Sequence, residues 1–356
     1  MTGHEEANLG TIPVRPGYEL DLAALTEWLQ AEVPGFLGPV QIEQFKGGQS
    51  NPTYRLASPS GNYVLRRKPP GETLKGAHAV DREARVLLAV GGAGLPVPKV
   101  HAVCMDETVI GSVFYVMDMV EGRIFWDAKV PGAGKSERRA IYDSMNETIA
   151  RLHSIDYKAV GLADYGKPGN YFSRQIDRWS RQYRADDEAG REPILDRVIE
   201  WLEENLPQGD DQNGIIHGDF RIDNLIFHPI EPRVVAVLDW ELSTLGHPLA
   251  DFAYNVMMYR MPPHIVAGLA GADLEALGIP QEDAYVATYC RRTGRSSIPN
   301  LDYYIAFNFF RLAAIFHGIK GRVIRGTATN LEAQARVKVL PELINLVWQQ
   351  ALRAKV

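Results

Sequence analysis

Cysteine is nearly missing from this chain: Cys104 and Cys290 are the only two in 356 residues. One pair cannot build a disulfide framework, so a reducing, cytoplasmic setting is expected. No stretch reaches the roughly eighteen consecutive apolar residues of a membrane span, so no membrane partner is expected. Positive charge is not in excess either. Lys and Arg number 38 against 44 Asp and Glu, a net charge of −6, which argues against a nucleic-acid partner. Met1 to Gly10 is polar and carries Glu5 and Glu6, so it does not read as a secretory leader. Internal repeats and low-complexity tracts are absent. What remains, 46% apolar and 23% charged residues, is an ordinary globular composition in a chain long enough for two cores.

One stretch organises the rest. His217-Gly218-Asp219-Phe220-Arg221-Ile222-Asp223-Asn224 places an acid and, five residues later, an amide in a loop. The β-branched run Val234 to Leu238 then delivers Asp239, twenty positions after Asp219. Phosphoryl transfer needs such a set: a carboxylate to take a hydroxyl proton, and two oxygen ligands that hold Mg²⁺ on nucleotide phosphates. Two other readings compete. Asp219 and Asn224 could cap a turn while Asp239 ends a strand. His217 and Asp219 could instead ligate the metal of a hydrolase, although no further His or carboxylate cluster has ligand spacing.

The preceding chain supplies matching parts. Residues 1–20 read as a loose arm, and Leu20 to Ala31 as an amphipathic helix. Strands are expected over 40–45, 53–57 and 63–66, then over 100–105 and 112–117. Between the first two lies Lys46-Gly47-Gly48-Gln49-Ser50-Asn51, either a plain hairpin turn or a loop whose backbone N–H groups approach phosphates. The third strand carries Arg66, Arg67 and Lys68, and any of these could contact phosphate; a solvated strand edge is the alternative. A helix over 79–90 contains Glu83, which could pair with the strand cation or face water. Met117-Asp118-Met119-Val120-Glu121-Gly122 reads as a hinge, with the Asp118 carbonyl and the Val120 N–H available to a base. Beyond it the periodicity turns helical, over about 136–154, 172–184, 193–206, 249–260, 281–292, 302–321 and 330–353. The aromatic run from Tyr303 to Phe316 reads as helical core.

With these residues placed, the chain resembles the aminoglycoside phosphotransferase family of choline-kinase-like small-molecule kinases. The similarity rests on Gly47-Gly48-x-Ser50-Asn51, Val64-Leu65-Arg66, Arg82-Glu83, residues 117–122, His217-Gly218-Asp219 with Asn224, and Leu238-Asp239-Trp240-Glu241. It covers about residues 40 to 260 and looks nearest to the kinase-like domains of certain long acyl-CoA dehydrogenase chains. The resemblance implies an α+β, bilobal protein-kinase-like fold. A small antiparallel-sheet N-lobe would take residues 1–120 and a large, mostly helical C-lobe residues 121–356. It implies ATP (or GTP) and Mg²⁺ as cofactors. Asp219 would be the general base, assisted by Arg221. Asn224 and Asp239 would hold the metal, and Gly47, Gly48, Ser50, Asn51, Arg66, Glu83, Asp118 and Val120 the nucleotide.

Departures from the family pattern carry information. Gly218 stands where a protein kinase has arginine, and Trp240-Glu241 where it has Phe-Gly, so a flipping activation segment is not expected. Arg221 either neutralises the transferred group or pairs with a neighbour such as Asp223. The acceptor is expected to be a small hydroxyl compound. Between residues 291 and 325 seven basic residues face one acid, Asp302. That imbalance is either a solvated helix face unrelated to substrate or, where it lines the acceptor cleft, a field that favours an anionic acceptor, such as a hydroxyacyl thioester of coenzyme A, over polycationic aminoglycosides. A nucleotide-binding protein without catalysis is the alternative class, an aminoglycoside-phosphorylating resistance enzyme is the other alternative, and the sequence leaves the oligomeric state open.

Overall fold

Alternating burial makes the first sheet. In the strand Thr53–Ser58, Tyr54 and Leu56 are fully buried while their neighbours are not, the period-two pattern of a strand with one face on a core. The computed structural model describes residues 10–46, 51–69, 79–209, 211–328 and 331–354. In chain order its elements are β1 (Thr11–Ile12), α1 (Leu22–Glu32), β2 (Gln41–Phe45), β3 (Thr53–Ser58), β4 (Gly61–Arg67), α2 (Val80–Gly92), β5 (Val100–Cys104) and β6 (Phe114–Asp118). Next come α3 (Lys135–His153), α4 (Tyr171–Arg184), α5 (Pro193–Glu204), β7 (Gly214–Ile216), β8 (Leu225–Phe227), β9 (Val234–Val237) and β10 (Thr244–Gly246). The C-terminal part holds α6 (Pro248–Arg260), α7 (Leu274–Leu277), α8 (Glu282–Arg292), α9 (Leu301–Ile324) and α10 (Leu331–Arg353). The fold is α+β.

The chain divides into two units. The first takes Met1–Trp126, Ile155–Tyr165 and Ile222–Ser243; the second takes Asp127–Ser154, Gly166–Arg221 and Thr244–Val356. In the first, six strands form an antiparallel sheet in the order β1-β2-β3-β4-β6-β5. The expected loose arm contains a strand after all, because Thr11 and Ile12 pair with Phe45 and Gln44. Helix α1 starts at Asp21, whose carboxylate accepts the Ala23 and Ala24 N–H groups, each at 3.0 Å. Leu25 and Leu29 then pack with Tyr54, Leu56, Leu65, Phe114 and Val116. β4 is an inner strand, with β3 on one side and β6 on the other. The solvated-edge reading of its basic run is therefore wrong, and Arg66 and Arg67 are both buried.

The hinge segment joins the same unit to residues a hundred positions on. Arg123 and Phe227 exchange both backbone hydrogen bonds, each at 2.8 Å. Gly122 permits this approach: a Cβ there would lie 2.2 Å from the Phe227 carbonyl oxygen. β8 pairs antiparallel with β9, so this strand pair is tied to the hinge rather than to the helices.

The second unit is helical around a small β7–β10 ladder. Helix α6 begins with Pro248 at its first position, and the His247 ring accepts the Leu249 N–H at 3.2 Å. Every residue from Pro248 to Tyr259 is buried, so α6 runs through the core of this unit rather than over it. α9 packs beside it and supplies the aromatic core: Tyr304, Phe307, Phe309 and Phe310 are buried, and Phe172 stacks on Tyr304 at 4.9 Å.

Gly122→Ala is expected to lower stability by about 1–3 kcal/mol, the usual cost of forcing an atom into a filled space. Chemical denaturation measures this, and an unchanged midpoint would contradict the close approach.

Candidate active site

In the first unit, β4, α2, the hinge and the β8–β9 pair surround a cleft of about 320 Å³. Its walls include Val64, Leu87, Met117, Val120, Ile124, Ile226 and Leu238; its polar lining includes Arg66, Glu83, Asp118, Asn224 and Asp239. Six of the expected site residues thus share one cavity. Asn51 is buried, and its carbonyl accepts the Thr53 hydroxyl at 3.0 Å. Gly47, Gly48 and Ser50 lie outside the described residues.

Arg66 is the electrostatic centre of this cleft. Its Nε lies 2.9 Å from Glu83 Oε2, an ion pair not aligned as a hydrogen bond. Its Nη2 reaches Asp239 Oδ1 at 3.0 Å and Glu241 Oε2 at 3.5 Å. Burial opposes the charge on Arg66, but Glu83, Asp239 and Glu241 outweigh it and hold its pKa above the ordinary range. Burial pushes the Glu83 carboxyl up; Arg66 and a Tyr115 hydrogen bond act against that rise. Glu83 is 3% exposed, so it is not a solvated helix residue. Strand alternation separates the two arginines: Arg67 donates to the Lys68 carbonyl instead.

Asp239, two residues beyond β9, sits in the left-handed region, φ 62° and ψ 60°, unusual for a residue with a Cβ. The next residue fixes it there. Trp240 is buried and donates its Nε1–H to the Val237 carbonyl at 2.9 Å, so this segment is anchored at its first step. One carboxylate, one amide oxygen and a cation on an apolar cleft fit a Mg²⁺–nucleotide, because Mg²⁺ takes few protein ligands and completes its shell with phosphates. Among the described residues no cluster of three His, Cys, Asp or Glu side chains could hold a metal alone, and the hydrolase reading gains no support.

In the second unit a loop carries Asp219. Gly218 has φ +85°, a conformation that side chains with a Cβ disfavour, which gives a local reason for glycine where a protein kinase has arginine. The buried carboxylate of Asp251 accepts the His217 N–H at 2.7 Å and the Gly218 N–H at 2.8 Å. His153 Nε2 lies 3.2 Å from the same carboxylate, and its Nδ1 meets the Tyr289 hydroxyl at 2.7 Å. Burial would raise the Asp251 pKa, but His153 and the loop amides overcome it and hold it below the usual carboxylate value. Arg311 donates to the Gly218 carbonyl at 2.7 Å, and Asn255 to the Phe220 carbonyl at 3.2 Å. The His217 ring is buried and accepts the Asp219 N–H at 3.2 Å, so it supports the loop from within. Arg221 Nε sits 3.5 Å from Asp219 Oδ1.

Sequence reading missed Asp251, Tyr254, Asn255 and Arg311. The first three lie at i, i+3 and i+4 on α6, the spacing that presents one helix face. The basic stretch 291–325 does not form one field, which corrects the charge argument. Arg292 pairs with Asp143 at 2.9 Å, Lys320 with Glu192 at 3.0 Å and Arg325 with Asp186 at 2.7 Å. Arg295 donates to Gln212, and Arg311 is buried.

Asp251→Asn is expected to cost about 1.5–3 kcal/mol at neutral pH, the scale of hydrogen bonds to a charged acceptor. A depressed carboxylate pKa stabilises above the unfolded-state value, 3.8, and loses that contribution as pH falls through the folded-state value. The stability gap between wild type and variant should therefore narrow below pH 3.8. Urea titrations across pH give the gap, and a gap independent of pH would contradict the assignment.

A phosphotransferase enzyme family model matches residues 41–294. The mouse protein acyl-CoA dehydrogenase family member 10 is 42% identical over 346 residues, 96% of this chain but 32% of the mouse protein. This chain therefore spans about a third of that relative. A solved Ralstonia eutropha structure, described as a candidate aminoglycoside phosphotransferase, is 48% identical with a TM-score of 0.88, covering 95% of this chain and 100% of that one. An aminoglycoside phosphotransferase solved with AMP-PNP and hygromycin B shares the fold at 14% identity and TM-score 0.59, covering 92% and 98%. The matched span takes in both the cleft residues and the Asp219 loop, and this chain belongs to the phosphotransferase enzyme family.

Proposed function

We propose that this protein transfers the γ-phosphoryl group of ATP to a hydroxyl of a small molecule, with Asp219 as general base. The observation that carries the reading is the cleft of the first unit, where apolar walls, a buried cation and two oxygen donors share one cavity. An apolar slot with few placed polar groups suits a purine base. The complex of a structural neighbour with AMP-PNP supports ATP, and the same walls would accept the purine of GTP.

Arg66 draws phosphate oxygens to the mouth of the slot, and Glu83 keeps its guanidinium turned there. Asn224 and Asp239 would hold Mg²⁺, which supplies charge neutralisation on the phosphates when bound. Asp219 takes the proton of the attacking hydroxyl, and Arg221, beside it, offsets charge on the transferred group.

For the acceptor we propose an anionic hydroxyl compound, with hydroxyacyl-CoA esters first. The support is the 42% identity to a protein named for the acyl-CoA dehydrogenases. The basic stretch gives little support, since three of its seven cations pair with acids from elsewhere in the second unit and a fourth, Arg311, is buried against the Asp219 loop.

Asp219→Asn should keep MgATP affinity and slow transfer by about 10²–10⁴, the scale of general-base loss. Asp239→Ala should weaken MgATP binding by calorimetry. Turnover with hydroxyacyl-CoA esters and kanamycin side by side tests the acceptor. MgATP affinity unchanged in Asp239→Ala, or wild-type transfer in Asp219→Asn, would contradict the assignments.

A further inference from the structure

We infer that Tyr254 is a positioning residue for Asp219, holding one carboxylate oxygen so that the other meets the acceptor hydroxyl. The inference rests on the reading of Asp219 as the base. The Tyr254 hydroxyl donates to Asp219 Oδ1 at 2.6 Å. Arg221 Nε approaches the same oxygen at 3.5 Å. An oxygen that already accepts a short, charge-assisted hydrogen bond is the poorer proton acceptor. The proton of the acceptor hydroxyl therefore goes to Oδ2, and Oδ1 sets the carboxylate's rotation.

The tyrosine is itself fixed. It is buried on α6, three residues after Asp251 and one before Asn255. These neighbours grip the loop backbone at His217, Gly218 and Phe220. Tyr254 is the member of this helix face that touches the reacting side chain rather than the backbone. The Arg311 guanidinium lies 5.4 Å from its ring centroid and also holds the Gly218 carbonyl, which couples ring and loop. Burial first, and the Asp219 charge next, raise the phenol's pKa, so the hydroxyl remains a donor at any working pH. Phenylalanine would fill the same space, so packing alone does not explain the hydroxyl.

The test compares wild type, Tyr254→Phe, Asp219→Asn and the double variant. Three readouts apply: ADP formed from MgATP with water as the probe acceptor, MgATP affinity, and melting temperature. Tyr254→Phe should slow turnover about tenfold, the lower end of what losing a supporting partner costs, with affinity unchanged and a single cooperative melting transition retained. In the Asp219→Asn background the same change should add nothing, because the two side chains act as one unit. Equal losses in both backgrounds, or wild-type turnover in Tyr254→Phe, would overturn the positioning role and leave the base reading intact. Wild-type turnover in Asp219→Asn would instead remove the base reading, and this inference with it. A readout independent of turnover is the ring Cζ resonance of carbon-labelled Tyr254, assigned by its loss in Tyr254→Phe. It should move when Asp219 becomes asparagine, and an unmoved resonance would overturn the hydrogen bond.

Discussion

The carboxylate of Asp251 is the constraint on which the second unit's chemistry depends. It is buried, and a charge there is tolerated only because two backbone amides and His153 converge on it. Those amides belong to His217 and Gly218, the residues just before Asp219. The charge thus fixes the loop from below, and the left-handed turn at Gly218 aims the next side chain. Arg311 and Asn255 secure the carbonyls of the same loop. A loop held by three side chains loses little freedom when substrate binds, which is what preorganised catalysis requires.

The first unit uses the opposite arrangement. There a buried cation, Arg66, gathers three carboxylates: Glu83, Asp239 and Glu241. The hub works because β4 is an inner strand, so its side chain is withdrawn from water before any ligand arrives. Tethering through Gly122 and the Arg123–Phe227 pairing carries the β8–β9 pair, and Asn224 and Asp239 with it, into the unit that holds the cleft. Asn224 follows Asp219 by only five residues, and the division between the units falls between Arg221 and Ile222.

Much of this was legible in the sequence where spacing is local. Asp219, Asn224 and Asp239 stand at fixed intervals on a loop and a strand end, so types and distances along the chain were enough to single them out. The longer helices of the second unit followed from period 3.6, and Pro248–Arg260 matches the expected 249–260 within one residue, whereas the four-residue helix Leu274–Leu277 was too short to show a period. Pairing at long range was not legible. Alternation separates Arg66 from Arg67, but only the sheet order shows that both are buried and that Arg66 is the one beside Glu83. Asp251, Tyr254 and Arg311 act on residues 33 to 93 positions away. The basic stretch weakened as an argument for the same reason: Asp143, Asp186 and Glu192 pair with three of its seven cations from distant helices and loops. The strand at Thr11 escaped because two residues carry no period.

The central claim is the transfer of a phosphoryl group to an alcohol, and oxygen labelling tests it most directly. ATP labelled with heavy oxygen throughout its γ-phosphoryl group is incubated with the protein, Mg²⁺ and a hydroxyacyl-CoA ester, and the products are weighed by mass spectrometry. The account predicts a phosphorylated ester whose non-bridging phosphoryl oxygens carry the label and whose bridging oxygen, contributed by the acceptor, does not. Recovery of all the label in unreacted ATP or in inorganic phosphate, with every hydroxyl acceptor tried, would contradict it.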